Sequence, residues 1–255
     1  KDWADLEGYR VPDPLTESDG WGPPPDWEAQ RRNCQRAKQN GRLAWGYLPH
    51  GFMYMRLYYL RGFQNFMLDV ATGDPRLGEL TQMVLEYNLA VIEKNIECGV
   101  EIMEFGDDLG FQNSLAISPV KWREYLLPCY REMFGLCRRN GVAISLHSDG
   151  HILDIIPDLV ECGVSILNPQ AGPNGLDGLE RVAKGKVCIY LDLDARLFPF
   201  ATPEQLSDHI HEAVERLDSP EGGLMLYAEC LPDTPLSNIR AICEAFEDVG
   251  GPMMT

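Results

Sequence analysis

His147 and Asp149 have the strongest claim to chemistry in this chain, near the end of VAISLHSDG (residues 142–150). On a strand their i, i+2 spacing points both side chains to the same face. The apolar residues before them give that strand a core to rest on, and the polar tip follows. A His-x-Asp pair at the carboxyl end of a buried strand is where α/β proteins hold their reactive groups. Taken singly, His147 reads as a hydrogen-bonded core imidazole and Asp149 as the cap of the next helix; as a pair they read as a site. An imidazole beside Asp149, Asp107 or Asp108 is also equipped for general acid/base work without any metal.

Further acids stand at comparable places. In VEIMEFGDDLG, alternation puts Ile102, Glu104, Gly106 and Asp108 on one face and Met103, Phe105 and Asp107 on the other. In KVCIYLDLDARL, Tyr190, Asp192 and Asp194 lie opposite Ile189, Leu191 and Leu193. A carboxylate within a strand is costly unless its face lines a polar cavity. Glu104, Asp107, Asp108, Tyr190, Asp192 and Asp194 are therefore candidate pocket residues, together with Asn168 and Gln170 of LNPQ and with His50. The structural alternatives are turn capping for Asp107 and Asp108, and pairing with backbone amides or Arg196 for Asp192 and Asp194. For His50, Arg56 and Arg61 near a pocket mouth, the alternative is surface charge.

The elements that must position these groups follow from breakers and periodicity. Residues 1–40 read as a Pro- and Asp-rich loop and a short polar helix, and residues 41–255 as one barrel domain, so that 1–255 form a single unit. RLAWGYL is a strand, and the aromatic, Met-rich segment after it has helical character. Helices are expected from Asp74 to Cys98 with Gly99 as stop, from Ser118 to Gly141 with Ser-Pro as start, from Ile152 to Cys162, from Thr202 to about Leu217, and from about Leu236 to Val249. Six strands alternate with helices, which is a parallel α/β pattern. Polar tips recur at strand ends (GDD, HSDG, NPQ, DLDAR, YAEC), as at a barrel mouth, and neither G-x-G-x-x-G nor a Walker motif is present. The fold class expected is α/β, a TIM (β/α)8-type barrel, with six strands evident, two short of eight.

Composition sets the outer bounds. At 255 residues and 45% hydrophobic, the chain can bury one large core. A formal charge of −17 argues against nucleic acid as a partner, because phosphates would be repelled. No run approaches the ~18 apolar residues of a membrane span. None of the eight cysteines forms a C-x-x-C pair, and most sit in apolar patterns, so reduced thiols and a cytoplasmic location are expected. The sequence opens on Lys1 rather than Met, and an upstream segment is expected.

The blocks GDDLGFQNSLAISPVKWREYLLP, SLHSDGHILDIIPDLVECGVSILNPQ, DLDARLFPFATPEQL and YAECLPDTPLSNIRAICEAF together resemble the uroporphyrinogen decarboxylase superfamily, from about Gly41 to the end. The resemblance implies a (β/α)8 barrel with its pocket at the carboxyl ends of the strands. It also implies one of two chemistries: cofactor-free decarboxylation with arginines on the substrate carboxylates, or methyl transfer between a corrinoid protein and a thiol, methoxy or methylamine-derived compound. The methyltransferase arm carries zinc on a His-x-Cys pair and a distant Cys. By that resemblance His147 corresponds to the zinc histidine, Asp149 stands at the Cys position, and Cys230 is the third ligand, with Glu229 as its competitor.

The leading expectation is thus a methyltransferase that activates a small thiol or methoxy substrate at His147, Asp149, Asp108 and Cys230 or Glu229. Zinc is the metal expected. The corrinoid would come from a partner protein, since the chain has no D-x-H-x-x-G signature; a homodimer is a further expectation. A decarboxylase using Arg42, Arg56, Arg61 and Arg196, or a barrel that only binds its ligand, are the alternatives.

Overall fold

The structure, a computed structural model, describes residues 2–20 and 22–250. Its centre is one sheet of six strands: β1 (Trp45–Tyr47), β2 (Ile102–Gly106), β3 (Ala143–Ser148), β4 (Ile166–Pro169), β5 (Cys188–Asp192) and β6 (Leu224–Tyr227). Every neighbouring pair is parallel and the spatial order is the chain order. Parallel neighbours require a crossover, and each connection carries helix. This is the winding of a (β/α)8-type barrel, with β1 and β6 as the two edges of the described sheet.

The two faces of the sheet differ sharply. Met103, Phe105, Ile144, Leu146, Leu167, Ile189 and Leu191 are fully buried on the face that meets the helices. Each contributes about 1.5–3 kcal/mol of burial. The opposite face carries Trp45, Tyr47, Glu104, His147, Asn168, Tyr190, Asp192 and Tyr227, and the register aligns Tyr47 with Glu104, His147 with Asn168, and Asp192 with Tyr227. This is the concave face of a barrel, and every strand delivers polar or aromatic groups to it.

Helix boundaries follow the expected signals. Ser118 accepts the Lys121 N–H ahead of Pro119, Thr202 and Gln205 form a capping box, and Gly99 closes the helix Arg76–Cys98 in the left-handed conformation. The helix expected from Ser118 to Gly141 is instead two, Pro119–Tyr125 and Leu127–Arg139. Pro128 explains the break, since it offers no N–H and crowds the preceding turn. The helix expected from Ile152 begins at Ile156, with Pro157 in its first turn. The aromatic segment after β1 is also two helices, Tyr54–Arg61 and Phe63–Thr72, hinged at Gly62 with φ +84°.

Asp107, expected in the pocket, belongs to the scaffold. It is fully buried, and its carboxylate accepts the backbone N–H of Tyr54 at 2.5 Å, that of Met55 at 3.0 Å and the Tyr130 hydroxyl at 3.1 Å. It thus caps the start of the helix Tyr54–Arg61 from across the sheet, next to the packed rings of Phe52, Phe105 and Tyr130. Burial pushes its pKa up to about 6 even though those three donors oppose the shift. Asp107→Ala strips three buried donors of their acceptor, and urea unfolding is expected to show a loss of about 3 kcal/mol. A loss below about 1 kcal/mol would show that the helix does not depend on this carboxylate.

Candidate functional site

The loops after β2 and β3 cross at two glycines. The Gly110 N–H donates to the Asp149 carbonyl at 3.2 Å, and the His151 N–H donates to the Phe111 carbonyl at 2.7 Å. A Cβ on either Gly110 or Gly150 would run into the backbone of the other loop, and Gly150 also has φ +79°. Below the crossing, the Asp107 N–H donates to the His147 carbonyl at 3.1 Å and the Leu109 N–H to Ser148 Oγ at 3.1 Å. This contact brings Asp108 to His147 and Asp149. One ligand atom from each of the three lies within 4.8 Å of the others.

The orientation of His147 is fixed from behind. The Asn168 side-chain N–H donates to the Tyr190 carbonyl at 2.5 Å, so Asn168 presents its Oδ1 to His147 Nδ1, 2.7 Å away. The imidazole therefore carries a proton on Nδ1, and Nε2 faces Asp149 Oδ1 at 3.2 Å. With Nδ1 held by an amide oxygen, Nε2 is free to present its lone pair to a metal once a cation displaces the proton it shares with Asp149, which is the arrangement of a metal-binding imidazole. Burial works against charge on His147, but Asp149, Asn168 and the charge of Asp108 outweigh it and raise its pKa.

His50 extends the cluster. Its Nε2 lies 3.0 Å from Asp108 Oδ1, and its ring centre is 5.8 Å from that of His147. Asp108 Oδ1 is a buried oxygen whose one close partner among the described residues is this His50 nitrogen, at ion-pair distance. A buried acceptor left in this way suits a cation. Burial pushes the Asp108 carboxyl up, but His50 and His147 together hold it below the usual range; Asp108 in turn raises His50. Glycine at 106 is what admits the His50 ring, since a Cβ there would stand 2.6 Å from its Nδ1.

The remaining expected residues divide. Glu104, Tyr190 and Asp192 share the concave face with His147, and burial raises the Asp192 pKa to about 6. Gln170 instead braces the HSDG loop, accepting the Gly150 N–H at 2.9 Å. Asp194 is held by Arg196 through two contacts of 2.7 Å, and that pairing keeps its carboxyl below the usual range. Cys230 and Glu229 do not join the cluster: both are exposed beyond the end of β6, Cys230 feels Cys243 of the terminal helix, and Glu229 acts on Asp192. Strand β6 ends at Tyr227, so alternation no longer directs either side chain. Arg56 pairs with Asp19, Arg61 with Asp69 and Arg196 with Asp194, which leaves these guanidinium groups committed within the fold.

The sequence profile described as Uroporphyrinogen decarboxylase (URO-D) matches residues 54–249, most of the chain and all of the strands from β2 onward. The chain belongs to the uroporphyrinogen decarboxylase family. No curated protein matches it. Among solved structures, a methyltransferase from Methanosarcina mazei superposes with a TM-score of 0.63 at 18% identity, over 88% of this chain and 64% of that one. The chain thus spans less than two thirds of that protein, and the likeness is one of fold. A 7,8-dihydropteroate synthase from Vibrio fischeri ES114 is similar more loosely, with a TM-score of 0.42 at 18% identity over 66% of each chain.

Replacing Gly106 with Ala is expected to push His50 away from Asp108. In NMR titrations the His50 pKa, raised in the wild type, falls back toward the ordinary histidine value near 6.5. An unchanged His50 titration would show that Asp108 is not what raises it.

Proposed function

We propose that this chain is a methyltransferase of the uroporphyrinogen decarboxylase family that activates a small thiol or methoxy substrate, with a corrinoid on a partner protein as the methyl carrier. The observation that carries this reading is the grouping of Asp108, His147 and Asp149 at the carboxyl ends of β2 and β3, with His147 Nε2 turned toward the two carboxylates. The metal-binding set is revised accordingly. Asp108 takes the place expected of Cys230 or Glu229.

Two carboxylates and one imidazole match a divalent ion in charge and donor type, and zinc accepts this mixture as well as the thiolate set. A divalent ion held there supplies Lewis-acid polarisation of the substrate heteroatom. The chain's own residues do the rest. Asn168 keeps the His147 lone pair aimed at the site, and Gln170 keeps the HSDG loop from drifting. His50 sits at the mouth with its basicity raised by Asp108, placed to take the proton that a thiol or alcohol gives up and to return it in the reverse direction. All eight cysteines are free thiols, which fits a reducing, cytoplasmic setting. Among the described residues no helix is long and apolar enough to cross a membrane.

Metal analysis by mass spectrometry on protein purified without chelator is expected to find about one divalent ion per chain in the wild type and in Cys230→Ala. Occupancy should fall sharply in His147→Ala, Asp149→Ala and Asp108→Ala. The same three variants should lose methyl transfer from methylcobalamin to a thiol acceptor. A wild-type chain that takes up no zinc on titration would remove the metal-assisted mechanism.

A further inference from the structure

The concave face beyond the metal-binding set has a consistent chemistry. Tyr190 of β5 and Tyr227 of β6 stand edge to face, with ring centres 5.8 Å apart. Asp192, two residues after Tyr190 on the same strand and in register with Tyr227, projects to this face beside them. The charges of Glu104 and Asp192 reach Tyr190, and those of Glu229 and Asp192 reach Tyr227. Across the six strands no lysine or arginine occupies a position on this face. Of the charges that act most strongly on Asp192, His147 is the one cation, against Asp149, Glu229 and Asp194.

Two independent features therefore coincide: a pair of electron-rich rings with accessible surface, and carboxylates (Glu104 and Asp192) that no guanidinium or ammonium answers among the described residues. Aromatic faces attract organic cations through their quadrupole, and an adjacent carboxylate adds Coulomb attraction. A divalent ion at the neighbouring set would be balanced by Asp108 and Asp149, so Asp192 and Glu104 would keep the rest of the face negative, with the charge of Glu229 beyond the end of β6 adding to it. Substrates bearing a sulfonate, carboxylate or phosphate meet repulsion on this surface.

We infer that the substrate is a small organic cation whose ammonium group rests against Tyr190 and Tyr227 beside Asp192, with its reacting heteroatom directed to the Asp108–His147–Asp149 set. The inference rests on the methyl-transfer reading for the identity of the reacting end, and on the sheet face alone for the charge of the other end.

The test is isothermal titration of the whole chain with choline, with its uncharged carbon isostere 3,3-dimethylbutan-1-ol, and with the anion 3,3-dimethylbutanoate. Choline is expected to bind about tenfold more tightly than the alcohol, and the anion least of all. Asp192→Asn and Tyr227→Ala, each confirmed as folded by circular dichroism, should each remove most of the preference for choline over the alcohol. Equal binding of choline and the alcohol, tighter binding of the anion, or no choline binding at about 10 mM would overturn the inference. Failure of the methyl-transfer reading shows elsewhere, in metal uptake. A chain that binds no zinc yet prefers choline loses that reading and keeps the cation site, whereas a chain that binds zinc without preferring choline does the opposite.

Discussion

The site depends on a steric constraint, the passage of two loop backbones at van der Waals distance where Gly110 meets Gly150. Neither position has room for a Cβ, and Gly150 sits in a left-handed conformation that disfavours side chains in any case. The crossing converts two separate strand ends into one cluster. Below it, the β2–β3 ladder and the bonds from Asp107 and Leu109 to His147 and Ser148 hold the strand ends, and the crossing carries that register out to Asp108 and Asp149. The hydrogen bonds through the Gly110 and His151 amides hold the loops in register, and the Gln170 side chain braces the same loop from β4. Preorganisation of this kind places acidic groups close together before any cation arrives, and the folding energy of the barrel bears the repulsion.

The order of the sheet and the direction in which its chemistry points were readable in the sequence, because period-2 alternation and helix stop signals are local. HSDG and GDDLG could be placed at strand ends, and Ser118, Thr202 and Gly99 marked helix boundaries, by rules that need only a few neighbouring residues. Relations across the sheet were less accessible. Alternation separated Asp108, on the Glu104 face, from Asp107, on the Phe105 face, and that division holds beyond the end of β2 at Gly106. What alternation could not supply is the set of partners that makes Asp107 a buried cap: the Tyr54 and Met55 amides and the Tyr130 hydroxyl, all distant in sequence. The glycines in GDDLG and HSDG were the available signal. They were legible as turns, but nothing local said that the two turns touch.

The thiol expected in the metal set illustrates the limit of analogy in the same way. Cys230 follows β6 by three residues, where no ladder bond fixes its direction, and it lies beside Cys243 instead of the strand-end cluster. Asp108 stands where a soft ligand was expected. The resulting donor set is harder, with one nitrogen and two carboxylates, and would bind a divalent ion more by charge than by covalency. Such a set weakens thiolate-type discrimination in favour of zinc and shifts selectivity onto geometry. Geometry is what Asn168 supplies: it fixes the tautomer and the ring plane of His147, so that the one nitrogen ligand approaches from a constant direction.

The same physics explains why the concave face is built as it is. The helix-facing side of the sheet takes the apolar burden almost completely, which frees the other side from contributing to the core. A face released from packing can hold exposed rings and uncompensated carboxylates without forfeiting stability, provided water or a ligand solvates the charges. Arg56, Arg61 and Arg196, which would have turned the face toward anionic substrates, are instead bound to Asp19, Asp69 and Asp194. Of these pairs, Arg61–Asp69 is buried, so removing either partner would strand a charge and draw on the stability of the whole domain. The acidity of the face is thus coupled to the scaffold: three of the four arginines that could have served anionic substrates are paired with carboxylates elsewhere in the fold.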